Sequence, residues 1–325
     1  MSKLIARIPL LMITALLALL PAVAVHAQQW PTRPIKFVIS FGPGTASDAI
    51  ARIISQDLTA SLGQPVVVVH KPGADGTISG VEVQRATPDG YTFLFGTNSA
   101  LVVAPLLRKA PPYNVLTDFT PVAMIGVNTL YFVVNPDLPI KSMADLVAYS
   151  RANPGKVNAA TGHTYAIVST GMFIKDNDLK IEMIPYKSDP EGIADLLAGR
   201  IHFMVSTPSS VYGHIKANKL RPLAGGSDLR NPLLPDVPTL AEAGQQRHPF
   251  AAFFALVGPA GLSKDIAERM NKVIGTALGK AEVRELLKNQ GVIARPMSVA
   301  ETADYIKSQN VIWKASLAGT SLQPQ

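Results

Sequence analysis

The stretch that most constrains the fold is a strand, a glycine-containing loop and a helix at residues 34–62. Residues 35–39 form the short apolar run that a strand covered on both faces requires. Apolar side chains then recur with a helical period at Ile50, Ile53, Ile54, Leu58 and Leu62. Gly63 and Pro65 follow, a pairing that ends a helix. This stretch therefore predicts one strand–helix unit of an α/β sheet.

The loop between that strand and helix, residues 41–48, predicts an anion site. Thr45 and Asp48 have the spacing of a capping box, which directs the first-turn amides and the positive dipole end toward the loop. Such turns bind anions. A dinucleotide site is disfavoured, because Ser47 stands at the third glycine position and the next strand ends in His70 rather than an acid. A tight turn without a ligand is the other alternative.

The N-terminus has the features of a secretory signal peptide. Two cationic residues precede the apolar residues 8–24, and small residues around Ala27 form a cleavage pattern. We expect residues 1–27 to be removed and a soluble mature chain to begin near Gln28. A retained membrane anchor is the weaker alternative, because prolines interrupt the apolar run and no stop-transfer pattern follows it.

Composition and missing motifs argue against several classes of protein. The chain has no cysteine, so it can form neither a disulfide framework nor a thiolate metal site. Without the two signal cations, 28 Lys and Arg stand against 23 Asp and Glu, a scattered excess of 5 that gives little support to nucleic-acid binding. The motifs GxSxG and HExxH are absent. We therefore expect a protein with no cofactor and no catalytic residues.

Beyond the first helix, short apolar runs alternate with helical patterns in two sets. Further strands are predicted at residues 66–69, 91–95, 121–125, 130–134, 157–160, 181–185, 201–205, 220–224 and 252–257. Helices are expected to include residues 101–108, a short one after Thr239, and 264–278, 281–289 and 299–317. The alternation predicts an α/β protein of two lobes, each a mainly parallel sheet flanked by helices. We expect lobe one at residues 28–127 and 252–325, with a crossing near Gly126, and lobe two at residues 128–251.

Polar loops follow several of these strands, at the carboxyl ends where α/β sheets bind ligands. The predicted ligand-binding residues are Phe41, Gly44, Thr45, Ala46, Ser47, Asp48, Thr97, Asn98, Ser99, Thr161, His163, Thr164, Tyr165, Tyr186, Ser206 and Thr207. Their convergence disfavours a turn without a ligand. The central residues of these loops include no Arg or Lys, so main-chain amides and hydroxyls are expected to hold an anion.

Short motifs spaced along the mature chain match one known family. They are WPTRPI at 30–35, Phe41 with Pro43, Gly44 and Asp48, LGQ at 62–64, PGA at 72–74, PDGY at 88–91, GT at 96–97, PYK at 185–187, HIK at 214–216, KLR at 219–221, LPDVPT at 234–239, AEAG at 241–244 and GPAG at 258–261. In this order and spacing the chain resembles the solute receptors of tripartite tricarboxylate transporters, also called Bug receptors.

The resemblance implies a type II periplasmic-binding-protein fold whose two lobes close over one small organic solute, often a carboxylate. It also implies delivery of the solute to membrane permease subunits, and a carboxylate held by main-chain amides and ordered water at the glycine loop. We expect a monomer. A receptor that reports its ligand to a signalling partner is the alternative, and a secreted hydrolase is a weaker one.

Three departures from the family pattern lie at the inferred pocket. Thr45 replaces a second glycine after Pro-Gly, and the segment ATGHTY at residues 160–165 replaces one resembling SSGNG. A frequent Phe-Asp pair is Val205-Ser206 here. We therefore expect His163 and Ser206 to determine which solute binds more than how tightly its carboxylate is held.

Overall fold

A computed structural model of the protein describes residues 30–162, 164–186, 189–246 and 252–318. Residues 30–32 belong to a separate N-terminal unit and contain no helix or strand. The described residues from Arg33 onward form two β-sheets with flanking helices. No helix among the described residues is long and apolar enough to cross a membrane.

The first sheet takes its strands from both ends of the chain. They are β1 (Ile35–Ile39), β2 (Val66–His70), β3 (Thr92–Thr97), β4 (Phe119–Asn128), β10 (Ala252–Pro259) and β11 (Val292–Ala294), in the spatial order β11-β4-β10-β3-β1-β2. Its helices are α1 (Ala46–Leu62), α2 (Thr77–Gln84), the single turn α3 (Ala104–Leu106), α8 (Lys264–Gly279), α9 (Ala281–Asn289) and α10 (Val299–Ala318). Helix α1 buries Ile50, Ile54 and Leu58 against the sheet, as the helical period predicts.

The second sheet is built from one continuous part of the chain. Its strands are β5 (Tyr131–Val134), β6 (Val157–Thr161), β7 (Ile181–Pro185), β8 (Phe203–Ser206) and β9 (Arg221–Gly225), in the order β7-β6-β8-β5-β9. Its helices are α4 (Met143–Ala152), α5 (Thr164–Asp176), α6 (Asp189–Leu197) and α7 (Pro208–Lys216). Two sheets with flanking helices confirm the predicted α/β class.

Within each sheet, most consecutive strands that are joined by a helix run in the same direction. The strand by which the chain enters from the other sheet runs in the opposite direction to its neighbours. β1 pairs in parallel with β2 and β3, and β6 with β7 and β8. β5 and β10 enter from the other sheet and pair antiparallel with both neighbours. The predicted mainly parallel sheets are therefore mixed, because each must accept a strand that arrives from the opposite direction.

Three local predictions differ from the structure. The predicted helix at 101–108 is a π-helical turn (Ser99–Val103) followed by α3, because residues 100–103 are buried on all sides and leave no polar face. The short helix after Thr239 is a series of turns. Gly126 lies inside β4 rather than at the crossing between the two lobes. A Cβ on Gly126 would stand 2.5 Å from the Ile293 carbonyl oxygen. Its lack of a side chain lets β11 pair with β4.

Several contacts join the parts of the chain that carry the two sheets, including one pair of aromatic rings and one hydrogen bond. The ring of Trp313 in α10 meets Tyr165 of α5 edge to face, with centroids 5.3 Å apart, and Trp313 is fully buried. The side-chain amide of Asn231 donates to the carbonyl oxygen of Gly291 over 2.9 Å. The helix that ends the described chain thus packs against the second half of the molecule.

Candidate functional site

A cavity of about 240 Å³ lies where strand ends of both sheets meet. β1, β3 and β4 end at it, and β10 begins at it because β10 runs antiparallel to β3, with Phe254 beside Thr97. The cavity is lined by Phe41, Thr45, Ala46, Ser47, Thr97, Asn98, Ser99, Asn128, Leu130, Tyr165, Thr207, Ala252, Phe253 and Phe254. None of these described lining residues carries a charged side chain.

In the loop before α1, the side chain of Thr45 forms hydrogen bonds with neighbouring residues, and two backbone amides remain available to a ligand. Thr45 Oγ1 donates to the carbonyl oxygen of Gly42 over 2.9 Å and accepts from Asp48 N at 3.4 Å, as an N-cap residue does. The next two residues, Ala46 and Ser47, both line the cavity. Because first-turn amides have no acceptor within their own helix, the N–H groups of Ala46 and Ser47 are donors for a bound anion.

Asp48 holds this loop in place. Its carboxylate accepts from Gly44 N at 3.0 Å, from Arg52 Nε at 2.9 Å and from His70 Nε2 at 2.9 Å. Burial by itself would raise the pKa of Asp48, but these hydrogen bonds outweigh burial and lower the pKa to about 2. Asp48 therefore stays ionised at neutral pH. It does not line the cavity, and it orients the residues that do.

Two buried side-chain atoms at the cavity have no hydrogen-bond partner among the described residues. They are Nδ2 of Asn98, which follows β3, and Oδ1 of Asn128, which ends β4. Each residue is 4 % exposed. A buried polar atom without a partner costs about 1–3 kcal/mol, so these two amides would be stabilised by a ligand that offers an acceptor to one and a donor to the other.

The remaining cavity wall is apolar. Leu130 precedes β5, Phe254 lies near the start of β10, and Tyr165 lies in the first turn of α5; all three are buried. Burial, followed by the nearby Tyr305 phenol, raises the pKa of the Tyr165 phenol far above its usual range. Tyr165 is therefore neutral at every physiological pH. This side of the cavity suits an uncharged part of a ligand.

Four predicted residues on the second-sheet side hydrogen-bond to residues outside the cavity lining. Ser206 Oγ donates to Asp189, and the Thr207 amide donates to Asp189 Oδ2 over 3.4 Å. Thr161 Oγ1 donates to the carbonyl oxygen of Ile184 over 3.3 Å. Tyr186 donates its phenolic proton to Asp195 over 2.7 Å. Of these hydrogen-bonding groups, only Thr207 belongs to a residue that lines the cavity.

The structure thus separates the predicted ligand-binding residues into two groups. Those that line the cavity are Phe41, Thr45, Ala46, Ser47, Thr97, Asn98, Ser99, Tyr165 and Thr207. Those that lie outside its lining are Gly44, Asp48, Thr161, Thr164, Tyr186 and Ser206. His163 lies outside the described residues.

Sequence reasoning missed five lining residues: Asn128, Leu130, Ala252, Phe253 and Phe254. Asn128 directly follows an apolar run, a signal that could have marked it. The start of β10 has no comparable signal, because strand β10 reaches the cavity only through its antiparallel pairing with β3. Among the described residues, no group of His, Asp and Glu could hold a metal ion.

Comparison with known proteins points to one family. Residues 50–320 match the family described as tripartite tricarboxylate transporter family receptor. Protein BugT of Bordetella pertussis is 36 % identical over 302 residues, which cover 91 % of each protein.

Solved structures with the same fold are similar over most of their length. The structure of R. palustris Rpa4515 with adipate has a TM-score of 0.79 and 28 % identity, covering 89 % of this chain and 98 % of that one. The periplasmic binding protein BugD has a TM-score of 0.76 and 26 % identity, covering 91 % of this chain and 100 % of its own.

Proposed function

Because this chain belongs to the tripartite tricarboxylate transporter receptor family, we propose that it binds a small carboxylate in the cavity and delivers it to a membrane permease. Members of this family are binding receptors rather than enzymes. The chain accordingly acts by capture and release, without a catalytic step.

The observation that carries this proposal is the set of open donors at the cavity. The amides of Ala46 and Ser47 have no acceptor within α1, and Asn98 Nδ2 is buried without a partner among the described residues. A carboxylate has two oxygens that together accept about four hydrogen bonds. The donors therefore match a carboxylate, and the positive end of the α1 dipole favours its charge.

The comparison proteins support the same class of ligand. R. palustris Rpa4515, 28 % identical to this chain, was solved with adipate, which is a carboxylate. Because the described cavity lining contains no cation, main-chain amides and neutral side chains supply the recognition here. This arrangement fits a receptor that must release its solute, because no arginine in the described lining forms two strong hydrogen bonds with the carboxylate.

The place of action follows from the N-terminal segment. Residues 1–27 direct export and are removed, so that the mature receptor begins at Gln28 in the periplasm. It works there as a monomer of two lobes, residues 28–127 with 252–325 and residues 128–251. Mass spectrometry of protein exported from a bacterial host tests the cleavage site, and a retained N-terminus in the membrane fraction would contradict it.

A thermal-shift screen followed by calorimetry tests the proposed function. The screen compares mono- and dicarboxylates, aromatic acids, amino acids and vitamins, each with an uncharged amide of the same carbon skeleton as its matched control. A carboxylate present at about 100 times its Kd stabilises the native state by about 2.7 kcal/mol, which raises the melting temperature by several degrees. The proposal is wrong if the amides stabilise the protein as much as the acids.

A further inference from the structure

The turn after β8 offers a second group of donors to the cavity, and an internal carboxylate already occupies it. Ser206 Oγ donates to Asp189, and Thr207 N lies 3.4 Å from Asp189 Oδ2. Ser206 is fully buried and Asp189 is only 7 % exposed. Thr207 itself lines the cavity. Asp189 thus takes the hydroxyl and amide protons that an incoming anion would need at this wall.

The two walls of the cavity therefore differ in what they offer to a charged group. The first-sheet wall presents the open amides of Ala46 and Ser47. The second-sheet side presents Thr207, whose amide is already bonded to a carboxylate, beside the buried Leu130 and Tyr165. An anion is favoured at the first wall only.

A ligand carboxylate at the second-sheet side would lose its hydration without replacement among the described lining residues. At the end of β4, two residues before Leu130, Asn128 Oδ1 is also an acceptor that needs a donor, so it repels a carboxylate oxygen. Burial of a charge without a partner is among the most costly changes in a protein interior. A methyl group, an aromatic ring or a hydroxyl at the same place carries no such cost.

We propose that the solute is a monoanion: one carboxylate lies on the amides of Ala46 and Ser47, an uncharged body lies against Leu130 and Tyr165, and Asp189 excludes a second carboxylate. This rests on the proposed function and narrows its ligand from carboxylates in general to monocarboxylates. Asp189 becomes a specificity-determining residue although it does not line the cavity. It acts through the Thr207 amide and through its own charge.

Hexanoate and adipate form a suitable probe pair, because they have equal chain length and differ by one carboxylate. In calorimetry at pH 7.5, we expect hexanoate to bind at least about tenfold more tightly than adipate, because adipate must bury a second charge without a partner. Benzoate and terephthalate repeat the comparison with a rigid ring.

Asp189→Asn tests the assigned residue. The asparagine oxygen can still accept from Ser206 and Thr207, while the negative charge is gone. We expect adipate to bind about fivefold or more tightly to this variant than to the wild type, and hexanoate to change by less than about twofold. Asp145→Asn is the matched control: Asp145 is also an acid in the first turn of a helix of the second sheet, but its carboxylate accepts from the amide of Lys141, which does not line the cavity.

Each outcome decides a separate claim. Adipate binding as tightly as hexanoate to the wild type overturns the monoanion proposal and leaves the proposed function intact. An unchanged ratio in Asp189→Asn, or an equal change in Asp145→Asn, overturns the role of Asp189. If no mono- or dicarboxylate binds to the folded protein, the proposed function fails and this inference fails with it.

Discussion

At the scale of single residues, two of the donors at the cavity are the backbone amides of Ala46 and Ser47, which side-chain truncation cannot remove. Ala46 occupies the first position of α1, and Thr45 before it has extended angles of φ −79° and ψ 162°. Proline is tolerated at that helical position and requires an extended residue before it. Ala46→Pro therefore deletes one open amide and keeps the helix.

We expect Ala46→Pro to weaken carboxylate binding about tenfold, the value of one hydrogen bond to a charged group, with little change in melting temperature. Calorimetry and thermal denaturation measure the two effects. Ala46→Val controls for added bulk because it retains the N–H. Lys264→Pro is the matched backbone control, since it lies at the same position of α8 after the extended Ser263. Unchanged affinity in Ala46→Pro would place the carboxylate elsewhere.

Substitutions at Gly44 and Gly42 can distinguish the effect of backbone conformation from the effect of limited space for a side chain. A Cβ at either residue would meet no heavy atom within 4 Å, but only Gly44 has a left-handed φ, of +80°. We expect Gly44→Val to lower the free energy of unfolding by about 1–2 kcal/mol or more, and to weaken binding by displacing the loop. Gly42→Val is the control and should change both less. Equal effects of the two variants in denaturant titrations would rule out the conformational cause.

Local chemistry decides which residue roles can be predicted from the sequence. The Thr45 cap and the helix that it begins follow from spacing alone, and the structure contains both. The proton of Thr45 Oγ1, however, goes to Gly42, and that of Ser206 goes to Asp189. Spacing cannot show such pairings. Asp189 is 17 residues from Ser206 in sequence and on another element.

At the scale of elements, Asp48 connects three of them: the glycine loop through Gly44, α1 through Arg52 and β2 through His70. Its folded-state pKa of about 2 lies below the reference value of 3.8. The folded state therefore binds fewer protons than the unfolded state between these values. The stabilisation is fully present above about pH 4 and is lost as the pH falls toward about 2.

We expect the melting temperature of the wild type to fall more steeply than that of Asp48→Asn between about pH 4 and pH 2. The asparagine can keep the hydrogen bond from Gly44 but does not titrate. Differential scanning calorimetry across this range measures the two slopes. Parallel curves would show that the Asp48 carboxylate contributes no pH-dependent stability.

The helices and strands that follow one another along the chain could be predicted from the sequence. The position in the first sheet of the late strands β10 and β11 could not. Apolar runs alternate locally with helices, which identifies β1 and α1 and their repeats. The sequence predicts β10 as a strand, but its neighbours β3 and β4 lie more than a hundred residues earlier. The local spacing of apolar residues does not indicate which distant strands will pair. β11 has only three residues and was missed.

At the scale of the whole molecule, ligand should draw the two lobes together. The cavity takes Ala46 and Ser47 from one side, and Tyr165 and Thr207 from the other, so a bound solute contacts both. We expect small-angle scattering to show a smaller radius of gyration at a saturating concentration of a carboxylate found in the screen, as in hinge-bending receptors. Ala46→Pro at the same ligand concentration should contract less. A radius that ligand leaves unchanged would contradict closure.

The place of β10 between β3 and β4 also fixes the order in which the two halves can be completed during synthesis. A chain is synthesised from its N-terminus, so the whole second sheet, which ends at Gly225, is available before Ala252 arrives. Until β10 inserts, β3 and β4 present unpaired edges, which readily pair with other strands. The half that carries Ala46 and Ser47 is therefore the last to be finished.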